Sequence, residues 1–185
     1  MTCIVGYKDG NDVWIGGDSL GSNEWGQQIA TAQPKVFTNG PMLMGCCGSF
    51  RLAQLLQYGV DFKRAAHPDG MPDHEYMVTH FIEEVRQVLS DGGLTHIKNN
   101  VEEVSGVAIV AYRNNMYTID SDFQVFDTTR SYMATGSGMD IALGAMSILV
   151  QYDLTPEEMI TEALKAAEEH NAFVKGPFVI KKHQT

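Results

Sequence analysis

The chain is short of the features that mark several large classes of protein. Cysteine is scarce: Cys3, Cys46 and Cys47 make an odd count, and adjacent residues seldom meet disulfide geometry, which argues against a disulfide-stapled domain. Reduced thiols and a cytoplasmic home are the economical expectation. Basic residues are outnumbered, 13 Lys and Arg against 23 Asp and Glu, and the formal net charge of -10 repels nucleic acid and anionic membrane. Long hydrophobic runs are missing. Stretches such as Ser105 to Ala111 are too short to span a bilayer, and the first residues lack the basic region and apolar core of a signal peptide. The six His are scattered, with no Cys or His spacing of a zinc site, so neither metal nor cofactor is expected. No Pro- or Ser-rich linker divides the 185 residues, of which 44% are hydrophobic, and one domain over 1–185 is expected.

What is present is an ordered series of hairpins and helices. Cys3 to Tyr7 and Val13 to Gly17 are apolar runs flanking Lys8-Asp9-Gly10-Asn11-Asp12, which has hairpin-turn chemistry. Ser19 to Gln33 is polar and reads as a loop. Lys35 to Phe37 and Met42 to Cys47 flank Thr38-Asn39-Gly40-Pro41, a second hairpin. Ser49 then caps a helix with Leu52, Leu55 and Leu56 on one face, and a second helix from Asp73 turns Met77, Phe81, Val85, Val88 and Leu89 inward. The second half repeats the order. Val107 to Tyr112 and Met116 to Ile119 form a hairpin around Arg113-Asn114-Asn115, with strands at Phe123 to Phe126 and Tyr132 to Ala134. A helix follows Gly136-Ser137-Gly138, another starts at the Thr155 cap with Pro156, and Pro177 to Lys181 is a last strand. Antiparallel strand pairs and helix pairs arriving in blocks predict an α+β fold with two sheets and helices packed outside, a four-layer αββα sandwich.

The first strand begins unusually early, because chain starts fray unless a sheet ties them down. If Met1 is removed, Thr2 carries both a hydroxyl and a free α-amine. An α-amine titrates near ~7.7–8.0 and can act as general base for its own hydroxyl. A Thr after Met is otherwise an ordinary strand start, and the two letters alone do not separate these readings.

Five stretches in order sharpen the choice: Thr2-Cys3-Ile4-Val5-Gly6, Gly16-Gly17-Asp18-Ser19, Pro34-Lys35-Val36-Phe37, Gly45-Cys46-Cys47-Gly48-Ser49 and Gly136-Ser137-Gly138. Together they resemble the signature of proteasome β-type and HslV-like peptidases, members of the N-terminal nucleophile hydrolases. The resemblance spans nearly the whole chain and implies hydrolysis of peptide bonds in unfolded proteins inside a homo-oligomeric ring, fed by an AAA+ ATPase partner. It implies Thr2 as nucleophile, Lys35 beside it lowering its proton affinity, and Asp18 holding the Lys. It gives Gly48 as donor to the oxyanion and Ser137 as the hydroxyl near the α-amine. It places Leu20, Thr31 and Cys47 around the substrate side chain. Many β subunits carry Asp and Ser before the last strands, where this chain has Asn171 and Val174. Asn171 is therefore expected in a supporting role, and restoring Asp and Ser is expected to raise turnover. With no propeptide before Thr2, removal of Met1 alone is expected to expose the amine. Retention of Met1 leaves two other readings, a non-catalytic ring-forming scaffold and, lower, an amidase on a small substrate using Thr2 or Cys3.

Overall fold

A computed structural model describes residues 2–22, 27–30 and 32–184. Met1, Trp25 and Thr31 lie outside the described residues. The opening hairpin pairs β1 (Ile4–Asp9) with β2 (Asp12–Gly17) antiparallel. Asp9 faces Asp12, so Gly10-Asn11 alone make the turn, tighter than expected because Lys8 and Asp9 continue the ladder. The expected loop from Ser19 contains β3 (Leu20–Ser22) and β4 (Gln28–Ala30), which pair with each other. Strands of three residues are too short for alternation to announce them.

The second hairpin joins β5 (Val36–Asn39) to β6 (Met42–Gly48). Helix α1 (Phe50–Tyr58) follows at once, its first turn capped by Ser49, whose hydroxyl accepts from the Arg51 N–H at 3.0 Å. Helix α2 (Asp73–Tyr76), a π-helical turn over Met77–Phe81 and helix α3 (Ile82–Asp91) run on in succession and bury the expected Met77, Phe81, Val85, Val88 and Leu89. A hairpin absent from the sequence reading follows, β7 (Thr95–Lys98) with β8 (Val101–Val104). Its turn residues Asn99 and Asn100 have φ of 49° and 65°, the paired positive values a two-residue hairpin turn demands. The remainder is β9 (Gly106–Tyr112), β10 (Asn115–Ile119), β11 (Val125–Asp127), β12 (Tyr132–Thr135), α4 (Met139–Leu149), α5 (Pro156–His170) and β13 (Val179–Lys182). At the start of α5, Thr155 and Glu158 form the full capping box.

Two sheets organise these elements, one in the order β12-β1-β2-β13 and one in the order β11-β10-β9-β6-β5. Strand alternation assigns each side chain to a face. Ile4, Val13 and Ile15 from the first sheet meet Val36, Leu43 and Ile109 from the second in one buried core. The opposite face of the first sheet sets Cys3 and Val5 against Met146 of α4 and Ile160 and Leu164 of α5. The outer face of the second sets Met42, Met44 and Cys46 against Leu52 and Leu56 of α1 and Val85 and Leu89 of α3. Each such aliphatic side chain stabilises the fold by ~1.5–3 kcal/mol. The arrangement leaves the start of β1, the end of β6 and the start of α1 at one end of the molecule. Among the described residues no helix is long and apolar enough to cross a membrane.

Candidate active site

Alternation along β1 decides where Thr2 points. Cys3 and Val5 face the α4/α5 core while Ile4 faces the other sheet, so Thr2 shares the face of Ile4. Thr2 is 2% exposed and lines a cavity of about 160 Å³ together with Lys35, Leu20 and Gly48. Sequence positions 2, 20, 35 and 48 thus converge on one space.

Under Lys35 lies Asp18, where β2 ends. Lys35 Nζ donates to both carboxylate oxygens, at 2.8 and 2.9 Å, and the two side chains are almost wholly buried. Backbone donors occupy the rest of the carboxylate. Oδ1 accepts from the Cys3 N–H at 2.9 Å and Oδ2 from the Leu20 N–H at 3.1 Å. Asp18 therefore ties the start of β1, the start of β3 and Lys35 into one unit. Burial pushes the Lys35 ammonium below the usual lysine range, and the adjacent Asp18 carboxylate opposes that push. The result is a compact cation beside Thr2, held by its partner against the cost of desolvation.

Gly48 ends β6 with φ of +112°, and a Cβ there would come within 2.6 Å of the Ser105 carbonyl oxygen. Only glycine satisfies both demands. The turn brings Ser49, the cap of α1, and Phe50, its first residue, to the cavity wall. Backbone N–H groups at a helix start carry partial positive charge, so the wall favours a developing anion.

On the other side of Thr2, Ser137 Oγ accepts from the Thr2 N–H at 3.3 Å and stands 3.4 Å from the Thr2 carbonyl oxygen. The Gly138 N–H donates to that carbonyl at 3.3 Å. Gly136, at φ +95°, has no room for a side chain because a Cβ would overlap the Thr2 carbonyl oxygen. Asn171 reaches this turn as well, with its Nδ2 donating to the Ser137 carbonyl at 2.7 Å.

The pocket residues divide. Leu20 lines the cavity, and Thr31 lies outside the described residues. Cys47 does not line it: its Sγ is 3.4 Å from Thr135 Oγ1, while Cys46 lines the cavity. The reason is alternation on β6, which turns Met42, Met44 and Cys46 toward α1 and Cys47 toward the first sheet. Sequence reasoning also missed Ser22, Phe50 and Ala53, which complete the wall. Phe50 and Ala53 are three apart just after the Ser49 cap, a helical spacing that places both on one face. Val174 is 3% exposed and packs in the α4/α5 core, away from the cavity.

Cys3 is fully buried, and burial followed by the Asp18 charge pushes its thiol up to about 12. A thiol so far from ionising is a poor nucleophile. The arrangement thus sets Thr2 next to a cation and a wall of helix-start amides.

No protein-family model matches the chain, and no curated protein sequence matches it. Solved structures do. BPH of Thiobacillus denitrificans in complex with epoxomicin is 17% identical, with a TM-score of 0.78 over 98% of this chain and 97% of that one. A second structure of BPH of the same organism gives 0.79 at the same identity and coverage. Eukaryotic HslV from Trypanosoma brucei gives 0.69 at 17% identity, covering 98% of each chain. At that identity the likeness is one of fold: this chain has the α+β fold of HslV and of BPH.

Proposed function

We propose that the chain is a threonine peptidase, one αββα sandwich domain of four layers, that cleaves unfolded polypeptides inside a homo-oligomeric ring. The observation that carries the reading is the convergence of Thr2, the buried Lys35–Asp18 pair and Gly48 on a single cavity. With Met1 in place the Thr2 nitrogen is an amide. Removal of Met1 makes it an amine, already beside Ser137 Oγ. Thr2 Oγ then attacks the scissile carbonyl carbon while its proton passes to the amine, and the Lys35 charge lowers the cost of the alkoxide. The Gly48 N–H and the start of α1 stabilise the oxyanion. The amine returns the proton to the leaving nitrogen as the peptide bond breaks, leaving an ester on Thr2. Water, deprotonated by the same amine, hydrolyses that ester and regenerates the hydroxyl.

Exposed Met139, Ile148 and Tyr152 on and just after α4, with Phe126 on β11, supply apolar surface for contacts between copies in a ring. The three free cysteines fit a reducing, cytoplasmic setting. An AAA+ ATPase partner would feed a chamber that folded substrates cannot enter.

The test uses protein whose intact mass shows loss of Met1. Wild type cleaves a fluorogenic peptide, and Thr2→Ala does not while keeping its fold. Cleavage by Thr2→Ala at a comparable rate rejects the nucleophile, and an intact mass that always retains Met1 favours the scaffold reading. Native mass spectrometry reads the assembly, and a monomer at micromolar concentration rejects the ring.

A further inference from the structure

Asn171 sits where α5 ends, with φ of −136° and ψ of 114°, so its backbone has left the helix. Its side chain spans two backbone groups of opposite kind. Nδ2 donates to the Ser137 carbonyl oxygen at 2.7 Å, and Oδ1 accepts from the Phe173 N–H at 2.9 Å. One neighbour only accepts and the other only donates. A single orientation of the amide satisfies both, because turning it over sets oxygen against oxygen and N–H against N–H. Ser137 in turn brackets Thr2, with its Oγ 3.3 Å from the Thr2 nitrogen, and the next residue holds the Thr2 carbonyl through the Gly138 N–H. A continuous line of hydrogen bonds therefore runs from the end of α5 to both backbone groups of Thr2.

We propose that Asn171 is a positioning residue for the Thr2 site, acting through Ser137, and that its neutral amide is required, so that a carboxylate in its place disables the site. The proposal rests on the reading of Thr2 as nucleophile. Aspartate has the same length and branching, but when ionised it only accepts hydrogen bonds. It would set a charged oxygen 2.7 Å from the Ser137 carbonyl oxygen, where the amide now donates. The Ser137 turn must then move, and Thr2 moves with it. This reverses the expectation that restoring the family's Asp would strengthen the site. The second restoration fails for a different reason. Val174 touches the position a Gly138 Cβ would occupy and is packed with Ala167 in the α4/α5 core, so a serine there buries an unpaired hydroxyl rather than joining a proton path.

The experiment compares wild type, Asn171→Ala and Asn171→Asp in Met1-free protein, with Thr2→Ala as control, on a fluorogenic peptide. Losing both hydrogen bonds in the Ala variant, of which the one to Ser137 bears on Thr2, lowers kcat ~10-fold. The Asp variant falls further, with KM within about twofold of wild type, the mark of a group that aligns the reacting residue. Measured against wild type at each pH, the Asp variant alone recovers as pH falls toward ~4, where its carboxyl gains a proton and donates again. Asp turnover equal to or above wild type overturns the proposal. If wild type cleaves nothing, or Thr2→Ala cleaves as fast, the nucleophile reading has failed and amide exchange decides the positioning claim separately. Faster exchange of the Gly138 N–H in both variants, at unchanged global stability, supports it, and unchanged exchange overturns it.

Discussion

Among the described residues two ion pairs join a buried acid to a basic side chain, and they differ in what the base does. Lys35–Asp18 is buried at both ends, with Asp18 also taking the N–H groups of Cys3 and Leu20. Arg64–Glu84 buries only the acid. Glu84 Oε1 accepts from the Asp61 N–H at 3.1 Å and from Arg64 at 2.7 Å, while the Arg64 side chain is 58% exposed. Both acids organise backbone. Arg64 lines an open surface depression with Glu84, whereas Lys35 is buried against the Thr2 cavity and keeps its charge out of water where a reacting oxygen would meet it. A buried pair is a weak device for stability and a strong one for placing charge.

The largest effect that separates the two pairs comes from removing the acid of the first. Asp18→Ala strips Lys35 of its partner and takes the acceptor away from the N–H groups of Cys3, Leu20 and Lys175. Breaking a buried pair from one side costs ~3–5 kcal/mol, a fall of about 10 °C in Tm for a chain of this size. Peptide cleavage is expected to vanish with it. A thermal scan within about 2 °C of wild type, the shift expected from less than 1 kcal/mol, would show that Asp18 does not hold the site together.

Lys35→Arg keeps the charge and changes its shape, which sharpens the comparison from the other side. The planar guanidinium is too wide for the space a compact ammonium fills between Asp18 and Thr2. Cleavage should drop by at least ~10²-fold, the cost of one mispositioned catalytic group, while the chain stays folded. Near wild-type turnover would remove Lys35 from the mechanism.

A smaller effect is read from pH alone. Burial lowers the Lys35 pKa, with Asp18 opposing, so its proton leaves below the ordinary lysine value of 10.5. As pH rises through that lowered value the cation beside Thr2 is lost and kcat/KM falls. The alkaline limb of the profile is expected below 10.5 in Met1-free protein. A profile flat through that region would mean that the charge is not used.

Much of this geometry was legible in the sequence, for reasons that also mark where reading stopped. Gly16-Gly17-Asp18-Ser19, Lys35 and Gly48 sit at the ends of strands with clear apolar runs, and Ser49 and Thr155 are caps whose chemistry fixes a helix start. Cys47 was expected at the pocket and Cys46 lines the cavity, because two adjacent residues on one strand face opposite sides and composition cannot tell which side is the pocket. The short β3 and the Asn99-Asn100 hairpin carry too few residues to show a period. Asn171 was visible only as a departure from a pattern. Its meaning lies in a 2.7 Å contact across 34 residues, which no local spacing encodes.

The smallest expected effect belongs to the second pair and closes the comparison. Glu84→Gln keeps an oxygen for the Asp61 N–H and removes the charge that Arg64 meets. Because Arg64 is mostly in water, its attraction is screened and its side chain gives up conformational freedom to make the contact, so the loss should be about 1 kcal/mol or less. The bond from the Asp61 N–H to the side-chain oxygen at 84, which ties the segment after α1 to α3, survives the change. Glu84 does not line the Thr2 cavity, whose wall comes from Thr2, Lys35, β3, the end of β6 and the start of α1. Cleavage per active site is therefore expected within about twofold of wild type, a rate change worth less than 1 kcal/mol in barrier. Raising the salt concentration should shrink the stability difference further, since an exposed partner is screened and a buried one is not. A loss of activity comparable to that of Lys35→Arg would mean that both pairs serve the site, and the division drawn between them would fall.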